Sequence, residues 1–198
     1  MPAPADDDAD ERLMLAYAGG RVEAFDRLYA RYRAPVFRYL VRHCGDAHLA
    51  EELFQDVWMR VVRARGTYEP TAKFTTWLYT VAHHRLVDHW RSRGQLGFVS
   101  IDVEGEDDEP HEALELPGAR TDEPETRAAS REIAARIAAA LAELPAVQRD
   151  AFLLQQEAGL SLAEIAALTG AGEETVKSRL RYASGKLRAA LADLKESP

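Results

Sequence analysis

The sequence predicts an all-α protein made of two small helical domains joined by an acidic, flexible linker. Three observations predict it. Apolar residues recur at three- and four-residue spacing in both halves of the chain, and no segment sustains the alternation of a strand. Charge is unevenly spread: residues 1–20 carry a net −4, residues 21–97 a net +5, residues 98–127 a net −9 and residues 128–198 a net 0, which together give the formal −8 of the 198-residue chain. Fourteen of the sixteen aromatic residues lie between Tyr17 and Phe98. A basic, aromatic-rich lobe and a neutral lobe divided by acid point to two domains with different tasks.

Residues 1–20 read as an acidic tail running into the start of the first helix. From Glu23 to Arg42 the stripe Phe25, Leu28, Tyr29, Tyr32, Val36, Phe37, Leu40 and Val41 marks a helix that Pro35 should kink or split. Gly45 stops it, and Asp46 caps a second helix over about 46–65. Residues 66–71 form a loop. A third helix, about 72–93, turns Phe74, Trp77, Leu78, Val81, Ala82, Leu86 and Trp90 inward and ends at Gly94. Residues 98–127 hold Pro110, Pro117, Gly118 and Pro124 with few apolar side chains, too little burial to offset the entropy of ordering.

In the second lobe Ile133, Ile137, Ala140, Leu141 and Leu144 form one stripe ended by Pro145. A helix over about 146–157 stops at Gly159. Ser161 with Glu164 forms a capping-box pattern for a short helix, 161–168. The turn 169–172 leads to a last helix, about 173–194.

Composition excludes several classes of protein. A single cysteine, Cys44, rules out a disulfide framework or a multi-cysteine metal site, and fits a reducing cytoplasm. No apolar run reaches the ~18 residues that a membrane span needs, and the N-terminus is acidic where a signal peptide is basic. His83, His84, Asp88 and His89 are the only cluster suggesting catalysis. No further ligand completes a metal site and no nucleophile motif stands near, so no catalytic residue, metal or cofactor is expected.

Three features carry function. On the helix 46–65, Leu53, Val57, Trp58 and Val61 point one way; Glu52, Gln55, Asp56, Met59 and Arg63 point the other. A Met within that polar face suits a protein-binding surface. The run from Tyr68 to Arg93 interleaves Phe74, Trp77, Tyr79 and Trp90 with Lys73, Arg85, Arg91 and Arg93, the mixture that holds single strands by stacking and charge, although most of these aromatics should be core. The short helix, turn and long helix at 161–185 have the spacing of a DNA-reading helix–turn–helix. Val176, Leu180, Ala183, Leu187 and Leu191 share one face of the long helix; Glu174, Ser178 and Arg181 lie opposite, flanked by Lys177 and Tyr182. Relative to Val176, Arg181 lies at about 140° and Arg179 at about −60°, near the buried edge.

Together these residues resemble the sigma-70 family of bacterial RNA polymerase sigma factors. The stretch from Ala50 to Trp58, then Phe74 to Tyr79 and Asp88 to Arg91, is similar to region 2 of that family. Leu141 to Pro145, Arg149, Phe152, Gly159 to Ser161, Glu164 to Ala166 and Thr175 to Leu180 are similar to region 4. Two such domains without a third between them resemble the extracytoplasmic-function group. The resemblance covers about 20–97 and 128–194.

The resemblance implies roles. Glu52, Gln55, Asp56 and Met59 would dock on the clamp helices of core RNA polymerase. The loop 66–73 and the following helix would open promoter DNA and capture its −10 strand, with Tyr68, Lys73, Phe74, Trp77, Arg85, Arg91 and Arg93 as candidate contacts. Glu174, Thr175, Lys177, Ser178 and Arg181 would read the −35 element in the major groove, beside the polymerase flap. The acidic linker would pass through the polymerase nucleic-acid channel as an RNA mimic. An anti-sigma factor is implied as a further partner.

Thr169 and Ala171 stand where the family carries large apolar residues, which thins the turn core, and Glu173 and Glu174 open the recognition helix where they repel phosphate. The rival reading, a stand-alone helix–turn–helix regulator, accounts for 128–194 but leaves the partner face and the linker without a role.

Overall fold

The computed structural model describes residues 9–94 and 124–192, with side chains placed except over 124–131. Among these residues it contains eight helices and no strand: α1 (Asp10–Ala18), α2 (Val22–Cys44), α3 (Ala47–Ala64), α4 (Phe74–Ser92), α5 (Pro124–Ala142), α6 (Ala146–Ala158), α7 (Leu162–Thr169) and α8 (Glu173–Ala190). They fall into two compact units divided after Gly94. The acidic tail 1–8 and most of the linker expected over 98–127 lie outside the described residues. The linker's expected end is corrected, because α5 already begins at Pro124.

In the first unit α2 lies against α1, α3 and α4. Leu28, Val36, Tyr39, Leu40, Val57, Val61, Phe74, Leu78, Tyr79 and Leu86 have no solvent exposure. Pro35 does not split α2. The prolyl nitrogen forfeits one helical hydrogen bond, but the buried side chains on both sides of it, from Tyr32 to Leu40, hold the helix through. At its end Gly45 takes a left-handed φ of 66°, and Asp46 accepts amide hydrogen bonds from His48 and Leu49 to start α3. Asp46 thus satisfies donors that would otherwise be orphaned.

Residues 1–20, expected as an acidic tail running into the start of the first helix, contain a separate helix, α1. Its Leu13, Met14 and Tyr17 are buried in the first unit. Its acidic start is structural: Asp10 pairs with Arg31 and accepts the Tyr32 hydroxyl, while Glu11 Oε1 accepts the Phe74 amide at 2.7 Å.

In the second unit α8 lies across α5, α6 and α7. Leu141, Phe152, Leu153, Leu154, Ile165, Val176, Ala183 and Leu187 make its fully buried centre. Ser161 and Glu164 form the capping box of α7 reciprocally. Gly170 makes the turn at φ 71°, a conformation that L side chains rarely adopt. Thr169, polar where bulk was expected, donates its hydroxyl to the Ile165 carbonyl at 2.8 Å, so the turn carries no orphaned hydroxyl. The described part of α8 ends at Ala190, short of the expected 194.

Candidate partner and nucleic-acid interfaces

Helix α3 divides its side chains as its amphipathic pattern demands. Leu53, Val57, Trp58 and Val61 are at most 5% exposed, whereas Glu52, Gln55, Asp56 and Met59 all face solvent. Met59 is 48% exposed, one of few large apolar side chains left in water among the described residues. Polar neighbours hold the face in order. His48 lies 3.5 Å from Glu52, and Gln55 donates to Glu51 at 3.3 Å.

Ion pairs cross from α3 to α4. Arg85 Nε donates to Asp56 Oδ2 at 2.7 Å, and Arg60 lies 3.6 Å from Asp88. The structure therefore joins Asp56 of the candidate partner face to Arg85 of the candidate −10 set, a contact 29 positions apart in sequence.

The candidate −10 residues separate into two groups. Tyr68 and Phe74 are core side chains, 8% and 0% exposed, and this corrects their assignment as base-stacking surfaces. Tyr68 packs edge-on to Trp77 at 5.1 Å and to Phe74 at 6.2 Å. Burial, then the carboxylates of Glu11 and Asp10, pushes its phenol up to about 12. Trp77, Val81 and Trp90, expected inward, are only half-buried, while Tyr79 is fully buried against Tyr39. The reason is that α4 is covered by α1 and α2 as well as α3, so its buried face is displaced from the single stripe. Lys73, Arg91 and Arg93 are exposed, and Trp77 keeps part of its ring surface accessible.

His83 is buried and His84 exposed on α4. Among the described residues no group of three or more His, Cys, Asp or Glu is placed to hold a metal ion. None of the described helices is long and apolar enough to cross a membrane.

On α8 the helix phase follows from burial. Val176, Leu180, Ala183 and Leu187 are inside, and Arg179 is 8% exposed. Glu174 and Lys177 are exposed and lie 3.7 Å apart; Thr175, Ser178 and Arg181 are half-exposed. The Arg181 guanidinium sits over the Tyr182 ring at 5.3 Å. Tyr182, 36% exposed, thus joins the outward face in direct contact with Arg181.

The model of sigma-70 region 2 matches residues 28–95, and that of sigma-70 region 4 matches residues 134–187. The chain is 30% identical to the RNA polymerase sigma-H factor of Pseudomonas aeruginosa, over 93% of this chain and 95% of that protein. It belongs to the sigma-70 family, in the extracytoplasmic-function group. It is also 34% identical to the ECF RNA polymerase sigma factor SigL of Mycobacterium tuberculosis, over 84% of this chain and 88% of that one. In fold it is similar to CnrH in its complex with the cytosolic domain of CnrY, with a TM-score of 0.65, 24% identity and coverage of 94% of this chain and 99% of that one. It is likewise similar to the sigma factor RpoE of Bartonella quintana, solved with the anti-sigma factor NepR, with a TM-score of 0.61, 23% identity and coverage of 85% and 96%.

As a sigma factor the chain binds core RNA polymerase and directs promoter recognition and opening in transcription initiation. The stand-alone regulator accounts only for the second of the two matches. The region 2 match begins at residue 28, so α1, which supplies Asp10 and Glu11, lies upstream of it. The signal that could have placed α1 in the domain was the apolar set Leu13, Met14 and Tyr17 behind the acids.

Proposed function

We propose that the work of this sigma factor is divided as follows. The first unit docks on the polymerase clamp helices through Glu52, Gln55, Asp56 and Met59. Its basic segment, through Lys73, Trp77, Arg85, Arg91 and Arg93, meets the −10 strand. The second unit reads the −35 element through Glu174, Thr175, Lys177, Ser178 and Arg181 while held at the polymerase flap, and the acidic segment 98–127 passes through the nucleic-acid channel. The factor carries out no chemistry of its own; it supplies binding energy and sequence choice to the polymerase in the cytoplasm. An anti-sigma protein restrains it, a reading supported by the likeness to the sigma factor RpoE, solved with the anti-sigma factor NepR.

The observation that carries this division is the exposed quartet on α3, which sets Met59 among three polar groups directly behind a fully packed apolar face. Run-off transcription with core polymerase over a promoter library tests it. A defined subset of promoters should fire only when the factor is added. Firing that survives combined replacement of the α3 quartet and of Arg181 would sink the division of labour.

A further inference from the structure

The ion pair between Asp56 and Arg85 joins two surfaces that the proposed function keeps separate. Asp56 belongs to the partner face of α3, and Arg85 to the basic, strand-facing helix α4. The Asp56 side chain is 51% exposed, so a partner can reach its carboxylate. The Arg85 side chain is 24% exposed, and its Nε–H is committed to Asp56 at 2.7 Å. A guanidinium whose charge is met at this distance by a carboxylate attracts phosphate far less than an open one. An ion pair this exposed is also weak, screened by salt and easily exchanged for another partner. Beside it Arg60 and Asp88 form a second, longer pair at 3.6 Å, so α3 and α4 stay bridged when the first pair opens.

We propose that Asp56 is a positioning residue for Arg85: in the free protein it holds the guanidinium away from nucleic acid, and polymerase, by engaging Asp56, releases Arg85 to a DNA phosphate. The inference rests on the reading that Asp56 faces polymerase. It adds that docking and strand binding are linked through one exchangeable ion pair, so that the free factor is a poor strand binder. The coupling needs no refolding, because only one contact changes hands.

The test uses the full chain, without polymerase, and a short fluorescein-labelled single strand of random sequence, since a phosphate contact carries no sequence information. Asp56→Asn should raise affinity for the strand several-fold and steepen the dependence of log K on log salt by about 0.7, the signature of one added phosphate contact on a single strand. Adding Arg85→Gln to Asp56→Asn should return both quantities to those of Arg85→Gln alone. Glu51→Gln removes the same charge from the same helix without touching Arg85, and should give a much smaller rise. No rise in Asp56→Asn, a rise that survives Arg85→Gln, or an equal rise in Glu51→Gln each overturns the proposal. Core affinity is measured separately on the same variants: loss in Asp56→Asn supports the partner face, and full retention overturns that reading without touching the strand-binding result.

Discussion

The Glu11 carboxylate accepts the backbone amide of Phe74 at 2.7 Å, so the first helix caps the fourth from 63 positions away. Lys73, at the N-cap of α4, offers no side-chain acceptor of its own. Glu11 supplies both the acceptor and a negative charge at the positive end of the helix. Glu11→Ala should therefore cost about 1 kcal/mol, the usual price of a lost cap, and lower Tm by several degrees in thermal denaturation. Glu11→Gln keeps an acceptor oxygen and should recover most of the loss. An alanine variant that melts with wild type would show the cap to be idle.

On the proposed partner face the expected effect is on binding, not on folding. Gln55 and Asp56 are exposed, and an exposed pair such as Asp56 with Arg85 contributes only about 0.2–1 kcal/mol to stability. Gln55→Ala combined with Asp56→Ala should leave far-ultraviolet helicity unchanged and Tm near wild type, while weakening affinity for core polymerase at least about tenfold, a loss of about 1.4 kcal/mol. Titration of labelled factor against core enzyme measures it; equal affinity for variant and wild type removes α3 from the docking surface.

The parts of this molecule legible in its sequence are those set by local chemistry. The Gly45–Asp46 junction, the Ser161–Glu164 capping box and the Gly170 turn each follow from residues within one helical turn of each other. The two faces of α3 and of α8 follow from a single period. What was not legible depends on contacts between distant residues. Asp10 and Glu11 look like a solvated acidic tail until Arg31, Tyr32 and Phe74 are brought to them. Tyr68 and Phe74 beside basic residues look the same whether they stack on a base or on each other; the covering of α4 by α1 and α2 decides for the core. Arg85 looks like an open cation until α3 places Asp56 against it.

Stability should fall on mild acidification. The imidazole of His84, exposed but partly desolvated by its neighbours, is held below its ordinary value of 6.5 first by that desolvation and then by His83, with Arg60 and Arg91 adding to the effect and Asp88 opposing it. His89 is lowered by burial and then by Arg93 and Arg85, against Glu52. Well above 6.5, from about pH 7.5 upward, both rings are neutral in the folded and unfolded chain and contribute no pH dependence. As pH drops through the unfolded value of 6.5 the unfolded chain takes up protons first, so unfolding is favoured. Tm should decline between about pH 7 and pH 5.5, and the double variant His84→Gln, His89→Gln should show a shallower decline. An identical slope in the two proteins would remove these rings as the cause.

The recognition helix gives the sharpest expectation, because burial separates two arginines only two positions apart. Arg179 is 8% exposed and lies on the side of Val176 and Leu180, which are buried; Arg181 is half-exposed and stacks on Tyr182 at the surface. A buried arginine acts through packing and hydrogen bonds, so Arg179→Ala should lower Tm, by about 1–3 kcal/mol in stability, with −35 preference unchanged in the molecules that fold. In the proposed reading Arg181 faces the groove. Arg181→Ala should cost about 1–3 kcal/mol at one base position if its fork is bidentate to guanine, and relax selection at that position alone. Tyr182→Ala removes the ring under the guanidinium and should blur the same position more mildly. Lys177, exposed beside Glu174, should act on phosphate: Lys177→Ala weakens all promoters alike and lowers the salt slope by about 1. Selection of −35 sequences with each mutant holoenzyme, paired with thermal melts, separates the four. A change of base preference in Arg179→Ala with none in Arg181→Ala would show that α8 presents its other edge to DNA.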